Sequence, residues 1–325
     1  MKSTHTKIES MWWSDKPAPL LLRAASKLYG LVNHLNLSLR QKRCAGSPLP
    51  VISIGNLTAG GSGKTPFVIW LTEQLKREGF KPVVVCRGDG GKSAAPQILS
   101  HESDPSIVGD EAVLLFKKSG CPVISGRDRI RACHMAAEYG DIMILDDGFQ
   151  YRQLNRICDI VLIPAEGVGN GSLIPAGPLR EPLEALARAD LIIRTGEEGG
   201  VKPLTAGKEW QWWCSADQLV PMAGTSSEKP LRAVALTAIA RPQRFIQSLE
   251  GLNIELTETF LFPDHHPFSA ADIEHATALN LPVIVTAKDA VKLEAIWPAK
   301  CELWVLEQQP HSEPGLFEAI KEMVT

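Results

Sequence analysis

The sequence predicts an α/β protein. It has a P-loop-type, mostly parallel sheet with helices on both faces, then a second, smaller α/β domain, with an amphipathic helix ahead of both. Three observations predict this. Residues 51–66, VISIGNLTAGGSGKTP, read as a buried strand, a glycine-rich loop and the start of a helix. Downstream, short β-branched apolar runs alternate with segments of helical periodicity, as in parallel strands joined by crossover helices. A second such alternation begins at residue 231, after a stretch in which Gly, Pro, Thr and Ser cluster. The chain therefore divides into an N-terminal amphipathic segment 1–45, a nucleotide-binding domain 46–200 and a smaller α/β domain 201–325.

The 325 residues suffice for about two domains with sizeable cores. A net charge of -3 gives no whole-molecule attraction for nucleic acid, so no nucleic-acid partner is expected. The 7 cysteines are scattered, odd in number and form no C-x-x-C pair, which argues against a disulfide framework or a zinc site and for a reducing cytoplasm.

Residues 1–16 mix charges with Trp12 and Trp13 and lack the apolar core and cleavage site of a signal peptide. From 19 to 39, Leu20, Leu21, Ala24, Leu28, Leu31, Val32 and Leu35 fall at helical spacing, while Arg23, Lys27 and His34 interrupt any run able to span a bilayer. Tryptophans precede this amphipathic helix and Arg40, Lys42 and Arg43 follow it, a composition suited to a membrane interface. A helix packed on its own domain fits the same pattern.

In the loop after the first strand, Gly60, Gly61, Ser62 and Gly63 allow successive backbone N–H groups to converge on an anion, and the following helix aims its positive end there. Lys64 would reach the β- and γ-phosphates of a nucleotide, and the Thr65 hydroxyl would ligate the Mg²⁺ bridging them. Thr58 stands where the pattern G-x-x-x-x-G-K-[ST] has its first glycine. An incidental glycine-rich turn is the competing reading, opposed by the order strand, glycines, Lys-Thr, helix.

Residues 82–86 form the next strand, ending in the loop RGDGG at 87–91, where open α/β sheets place their ligand crevice. Asp110 lies near the start of a helix at 112–118, where local sequence alone reads as a cap. After a strand at 122–125, Arg127 and Arg129 are either phosphate contacts or surface. The strand at 142–145 delivers Asp146 and Asp147, the carboxylates a hydrated Mg²⁺ requires beside a phosphate loop. Adjacent side chains of an extended segment point to opposite sides, so only one is expected to face the metal. Strands at 159–164 and 190–194 complete this half.

Residues 199–230 read as a connector around an aromatic strand at 210–214. Strands at 231–236, 258–262, 282–286 and 302–306 then alternate with helices at 241–249 and 269–279, the latter with Ser269 as N-cap and Asp272 at the third position. The loop FPDHHPF at 262–268 holds an Asp-His-His cluster, but adjacent histidines on an extended chain seldom ligate one ion. A catalytic or substrate-orienting histidine is favoured over a metal site, with turn chemistry as the alternative.

Taken together, these motifs resemble the tetraacyldisaccharide 4'-kinases of lipid A biosynthesis. The resemblance rests on GNLTAGGSGKTP at 55–66, VGDE at 108–111, DDGFQ at 146–150, PAGPLREP at 175–182, IARPQRF at 239–245, FPDHHPF at 262–268 and TAKDAVK at 286–292, and it explains Thr58, since the family's loop has threonine there. It implies transfer of the ATP γ-phosphoryl group to the 4'-hydroxyl of a tetraacyldisaccharide 1-phosphate lipid, giving lipid IVA, by a peripheral enzyme at the cytoplasmic face of the bacterial inner membrane. It implies two α/β/α domains with the active site between them, the smaller one closing the active-site cleft. Lys64 and Thr65 carry over as phosphate and Mg²⁺ ligands, Asp147 with Asp146 as the acidic partner, and Asp110 as the base supported by His265. The N-terminal segment becomes membrane-associating, with its helix as the membrane dock.

The chain departs from the family pattern at three places. Asp89 replaces the aromatic residue of R-G-Y-G-G, Tyr151 replaces the histidine ending D-D-G-x-Q-H, and Ala287 replaces the glutamate of T-E-K-D-A-V-K. A phenol, with an ordinary pKa of about 10 against about 6.5 for imidazole, takes no titrating role near neutrality. A nucleotide switch of the GTPase kind, the alternative function, would want N-K-x-D or T-K-x-D; Thr286, Ala287, Lys288 and Asp289 miss that register. A soluble small-molecule kinase would have no need of the N-terminal helix.

Overall fold

The computed structural model describes residues 10–14, 17–93, 95–196, 203–224 and 228–324. Its strands are β1 (Val51–Asn56), β2 (Pro82–Cys86), β3 (Gln97–Ile98), β4 (Val123–Ser125), β5 (Ile142–Asp146), β6 (Cys158–Pro164), β7 (Leu191–Thr195), β8 (Glu209–Ala223), β9 (Arg232–Thr237), β10 (Glu255–Leu261), β11 (Val283–Thr286) and β12 (Leu303–Ser312). They form one sheet in the order β10-β9-β11-β12-β8-β7-β6-β1-β5-β2-β4-β3. Pairing is parallel except between β8 and β12 and between β3 and β4. β1, β2, β5 and β6 are buried along their whole length, which is why they read as unbroken apolar runs and not as alternating ones.

The parallel register places the functional segments. Ile54 of β1 lies opposite Asp146 of β5, so the glycine loop after β1 and the acidic pair after β5 leave the sheet side by side. On the far side of β5, Val85 of β2 pairs with Leu145, which brings the 87–91 loop to the same edge. In the second half, the loops after β9, β10 and β11 face these across a cleft.

Within the stretch expected to be a connector, the aromatic strand expected at 210–214 extends to 15 residues as β8. Its first residues pair with β7, and from Trp212 onward it pairs with β12, so one strand carries the sheet from one half into the other. The aromatic pattern is explained by packing. Trp212 is buried edge-on against Phe67, with ring centroids 5.3 Å apart, and Trp70 lies alongside. Leu316 and Ile320 of the last helix, Leu316–Glu322, fill the same core. Residues past 200 thus contribute to the core of the first half, while β9, β11 and β12 have cores of their own on both faces.

The helix expected at 19–39 spans Leu20–Gln41. Its leucine stripe is turned outward, with Leu20 78% and Leu21 84% exposed, whereas Ser26 and Leu37 are buried. Among the described residues no helix is long and apolar enough to cross a membrane. Other expected elements are present with shifted ends, and the helix Ala270–Thr277 carries the anticipated capping box of Ser269 and Asp272. The short helices Pro105–Val108, Ala287–Leu293 and Leu316–Glu322 lie where no periodicity could build over so few residues.

Candidate active site

A cleft of about 440 Å³ separates the two halves, lined by Gly60, Gly61, Ser62, Gly63, Lys64 and Thr65 on one side and by Asp264, His265 and Lys288 on the other. Gly63, the N-cap of the helix Lys64–Arg77, has φ +79°, a left-handed conformation that glycine adopts without strain. A Cβ at Gly61 would meet no atom within 4 Å, so the cradle is open, and the buried Ser62 hydroxyl finds no partner among the described residues. These are the features of an anion site at a helix N-terminus. Thr58 lies outside it: fully buried, it bridges to Leu179, and its hydroxyl lacks a partner among the described residues.

Lys64 Nζ lies 3.1 Å from Asn56 Oδ1 and 3.3 Å from Asp147 Oδ1, both of which hold the ammonium at the mouth of the cradle. Arg180 Nη1 contacts both oxygens of Asp147 at 3.1 Å, and the buried Arg129 donates to the Asp147 carbonyl at 2.7 Å. Burial alone would raise the Asp147 pKa, but Lys64, Arg180 and Arg129 outweigh it and hold this carboxyl well below the usual range. Asp147 adopts φ +50°, an uncommon conformation for a non-glycine residue that these contacts stabilise. Asp146 behaves oppositely. Burial, reinforced by Glu111 and Asp147 and opposed by Lys64 and Arg129, pushes its pKa up to about 7.

The residue types fit a bound Mg²⁺. Thr65 offers a hydroxyl at the first turn of the helix, and Asp146 offers a buried carboxylate whose oxygen accepts only its neighbour's N–H among the bonds described. Asp147, by contrast, is engaged by two cations. No group of three or more His, Cys, Asp or Glu able to hold a metal occurs among the described residues.

Across the cleft, Asp110 and His265 meet although 155 residues separate them: His265 Nδ1 is 3.0 Å from each Asp110 oxygen. Asp110 is the first residue of the helix Asp110–Ser119, whose N-cap is Gly109; its carboxylate accepts from the Glu111 N–H at 2.8 Å in the first turn and also meets the histidine. His265 lines the cleft with Asp110 behind it. His266 turns away to Asp272 at 3.1 Å and stacks on Phe262, so the two histidines share no ion. Gly90, with φ +83°, packs over the pair: a Cβ there would come within 3.4 Å of His265 Nδ1.

The sequence model of the family described as LpxK, tetraacyldisaccharide-1-P 4'-kinase, matches residues 18–325. The chain belongs to this family. Named relatives include the tetraacyldisaccharide 4'-kinase of Alkalilimnicola ehrlichii, 36% identical over 315 residues that cover 92% of this chain and 91% of that protein. That of Thiobacillus denitrificans is 39% identical over 287 residues, 84% of each chain. A crystal structure of an "apo" form of LpxK from Aquifex aeolicus in complex with ATP superposes with a TM-score of 0.78 at 28% identity, covering 93% of this chain and 98% of that one.

Within this LpxK framework the three departures have clear surroundings. Asp89 forms a half-exposed ion pair with Arg87, 3.3 Å long, at the cleft. Tyr151 lies under the Arg129 guanidinium, 5.1 Å from centroid to Cζ, so it supports the arginine that holds Asp147; burial raises its pKa further from neutrality. Ala287 lines the cleft beside Lys288. Sequence reasoning missed Lys288 and Arg180. Lys288 Nζ lies 3.0 Å from Glu111 Oε1, 3.2 Å from Asp264 Oδ1 and 3.3 Å from His265 Nε2, linking both walls. Both residues sit inside motifs that carry the family resemblance, the only signal that could have found them. Arg129, left open between phosphate contact and surface, is instead a buried structural arginine.

The pair across the cleft implies a pH dependence of stability. The hydrogen bond to Asp110 raises the His265 pKa above its ordinary value against burial and Lys288. Asp110, which burial alone would raise, is lowered by His265, Lys288 and Lys292. The stabilisation from a raised histidine is full below its unfolded pKa and is lost as pH rises through the folded one. The stability deficit of His265→Gln relative to the parent is therefore expected to be larger at about pH 5.5 than at about pH 9, measured by urea unfolding. A deficit equal at both would show that the contact contributes as a neutral hydrogen bond only.

Proposed function

We infer that this chain transfers the γ-phosphoryl group of ATP to the 4'-hydroxyl of a tetraacyldisaccharide 1-phosphate. The observation that carries this reading is the open phosphate cradle facing an Asp-His pair across one cleft, in a chain that belongs to the 4'-kinase family. Lys64, held by Asn56 and Asp147, supplies positive charge where negative charge spreads over the transferring group. Thr65 and Asp146 would hold Mg²⁺, which would supply positive charge to offset that of the phosphates. Arg180 and Arg129 keep Asp147 fixed against Lys64. The hydroxyl oxygen bonds to the γ-phosphorus as the bond to the bridging oxygen breaks and ADP departs, and the hydroxyl proton passes to the Asp110–His265 pair acting as a unit. Lys288 braces that pair against Glu111 of the opposite half.

The lipid substrate gives the outward leucine stripe a role. A helix whose polar side is bonded to its own protein while Leu20, Leu21, Leu28 and Leu31 face out is suited to lie in the headgroup boundary. Peripheral attachment at the cytoplasmic face of the inner membrane is accordingly part of this reading.

Three outcomes are expected. Lys64→Ala should lower kcat by about 10²-fold or more when assayed below its melting temperature, since it removes charge stabilisation of the transition state from a cleft side chain; near-normal turnover would sink the kinase reading. Asp110→Ala and His265→Ala should each lower kcat by roughly 10²- to 10⁴-fold, and the double variant should be little worse than the poorer single. Fully multiplicative losses in that cycle would show two independent groups. Replacing Leu20, Leu21 and Leu28 by Ser should move the protein from membrane to soluble fractions and raise KM for the lipid more than for ATP; unchanged partitioning would return the helix to a packing role.

A further inference from the structure

The N-terminal helix turns its polar stripe, not its apolar one, onto the protein. Ser26 Oγ donates to the Leu173 carbonyl at 2.7 Å and accepts from the Ala176 N–H at 2.9 Å. Tyr29 Oη and Asn33 Nδ2 both donate to one acceptor, the Arg180 carbonyl, at 3.1 and 2.8 Å. The N–H of that same residue donates to the Leu57 carbonyl at 2.7 Å, at the end of β1 just before the phosphate cradle. Its side chain grips both oxygens of Asp147. The backbone of Arg180 is thus clamped between the helix and the cradle strand, and its guanidinium reaches the carboxylate that holds Lys64.

We propose that Tyr29 and Asn33 are positioning residues for phosphoryl transfer, acting through Arg180 to set the placement of Asp147 and Lys64. This rests on the kinase reading above. A helix that served only as an anchor would need the leucine stripe and any adhesive contact beneath it. Here the contact converges on the one loop residue whose side chain enters the catalytic cluster. Glu181, the next residue, is buried and bonded by Arg152 and Arg188, so the loop is fixed downstream and the helix supplies the remaining constraint at the Arg180 carbonyl. With both donors removed that carbonyl is held by neither, and the guanidinium can shift relative to Asp147. Displacements of about 1 Å in a catalytic array cost rate on the order of 10²-fold.

The test uses the full chain in detergent micelles with tetraacyldisaccharide 1-phosphate and ATP, where seating on a bilayer is not required. Tyr29→Phe and Asn33→Asp, singly and together, are assayed with and without Arg180→Ala. The double variant is expected to lose about 10- to 100-fold in kcat while KM for ATP stays within about twofold, and to cause no further loss when Arg180 is already Ala. Wild-type kcat for the double variant, or losses that multiply fully with Arg180→Ala, would overturn the proposal while leaving the kinase reading intact. If the double variant melts below the assay temperature, Tyr29→Phe alone, which removes one hydroxyl, is read by the same two criteria. Absence of lipid phosphorylation by the unmodified chain would overturn the kinase reading, and this inference with it.

Discussion

The parallel pairing of β1 with β5 is the constraint on which the site depends. With Ile54 opposite Asp146, the phosphate loop and the acidic pair must leave the sheet together. Asp147 then falls within 3.3 Å of Lys64 without any long side chain having to search for its partner. A shift of one residue in this register would turn Asp146 to the other face of the sheet and undo the arrangement. The neighbouring pairings of β5 with β2 and of β1 with β6 bury both strands on either side, which is what holds the register.

The site concentrates charge in a poorly solvated place, and the structure compensates group by group. Asp147 is satisfied by Lys64 and Arg180, Asp110 by His265 and the Glu111 N–H with Lys292 4.0 Å away, and the fully buried Asp289 by Thr237, Thr286, Lys292 and the Ala238 N–H. Removing one member of such a set leaves its partner buried and unpaired, which costs more than the pair contributes as a whole. Asp146 stands apart, with no cation in ion-pair contact among the contacts described and a pKa pushed up to about 7 by burial. Glu166 shows the same economy at the rim, where it is gripped by Arg241 and Arg244 from the second half and Arg241 in turn lies over Trp13. Contacts of this kind tie the two halves at several points around the cleft.

The sheet itself is the other tie. Because β8 leaves β7 and joins β12 without interruption, the halves share a backbone ladder, and the last helix returns to fill the first core beside Trp212. The residues that substitute for the usual family pattern, Asp89, Tyr151 and Ala287, all lie within or just behind the walls of this cleft. Their setting differs: Tyr151 has been absorbed into the support of Arg129, whereas Asp89 and Ala287 face the space in which substrate would lie.

The sequence by itself determined the fold class, the phosphate cradle and the acidic pair, because each is local. A buried parallel strand is a run of apolar residues, a cradle is glycines followed by Lys-Thr, and both are complete within a few consecutive positions. It also determined that 19–39 is an amphipathic helix, but not which stripe meets the protein. Only the tertiary structure decided that the polar side of Ser26, Tyr29 and Asn33 docks and the leucines face out, since periodicity is symmetric between a core and a membrane. Likewise, nothing local distinguishes Asp110 from a helix cap or Arg129 from surface, or shows how far the strand read at 210–214 runs on. The partner that decides each one, His265, the Asp147 carbonyl and β12, is brought near only when the chain folds.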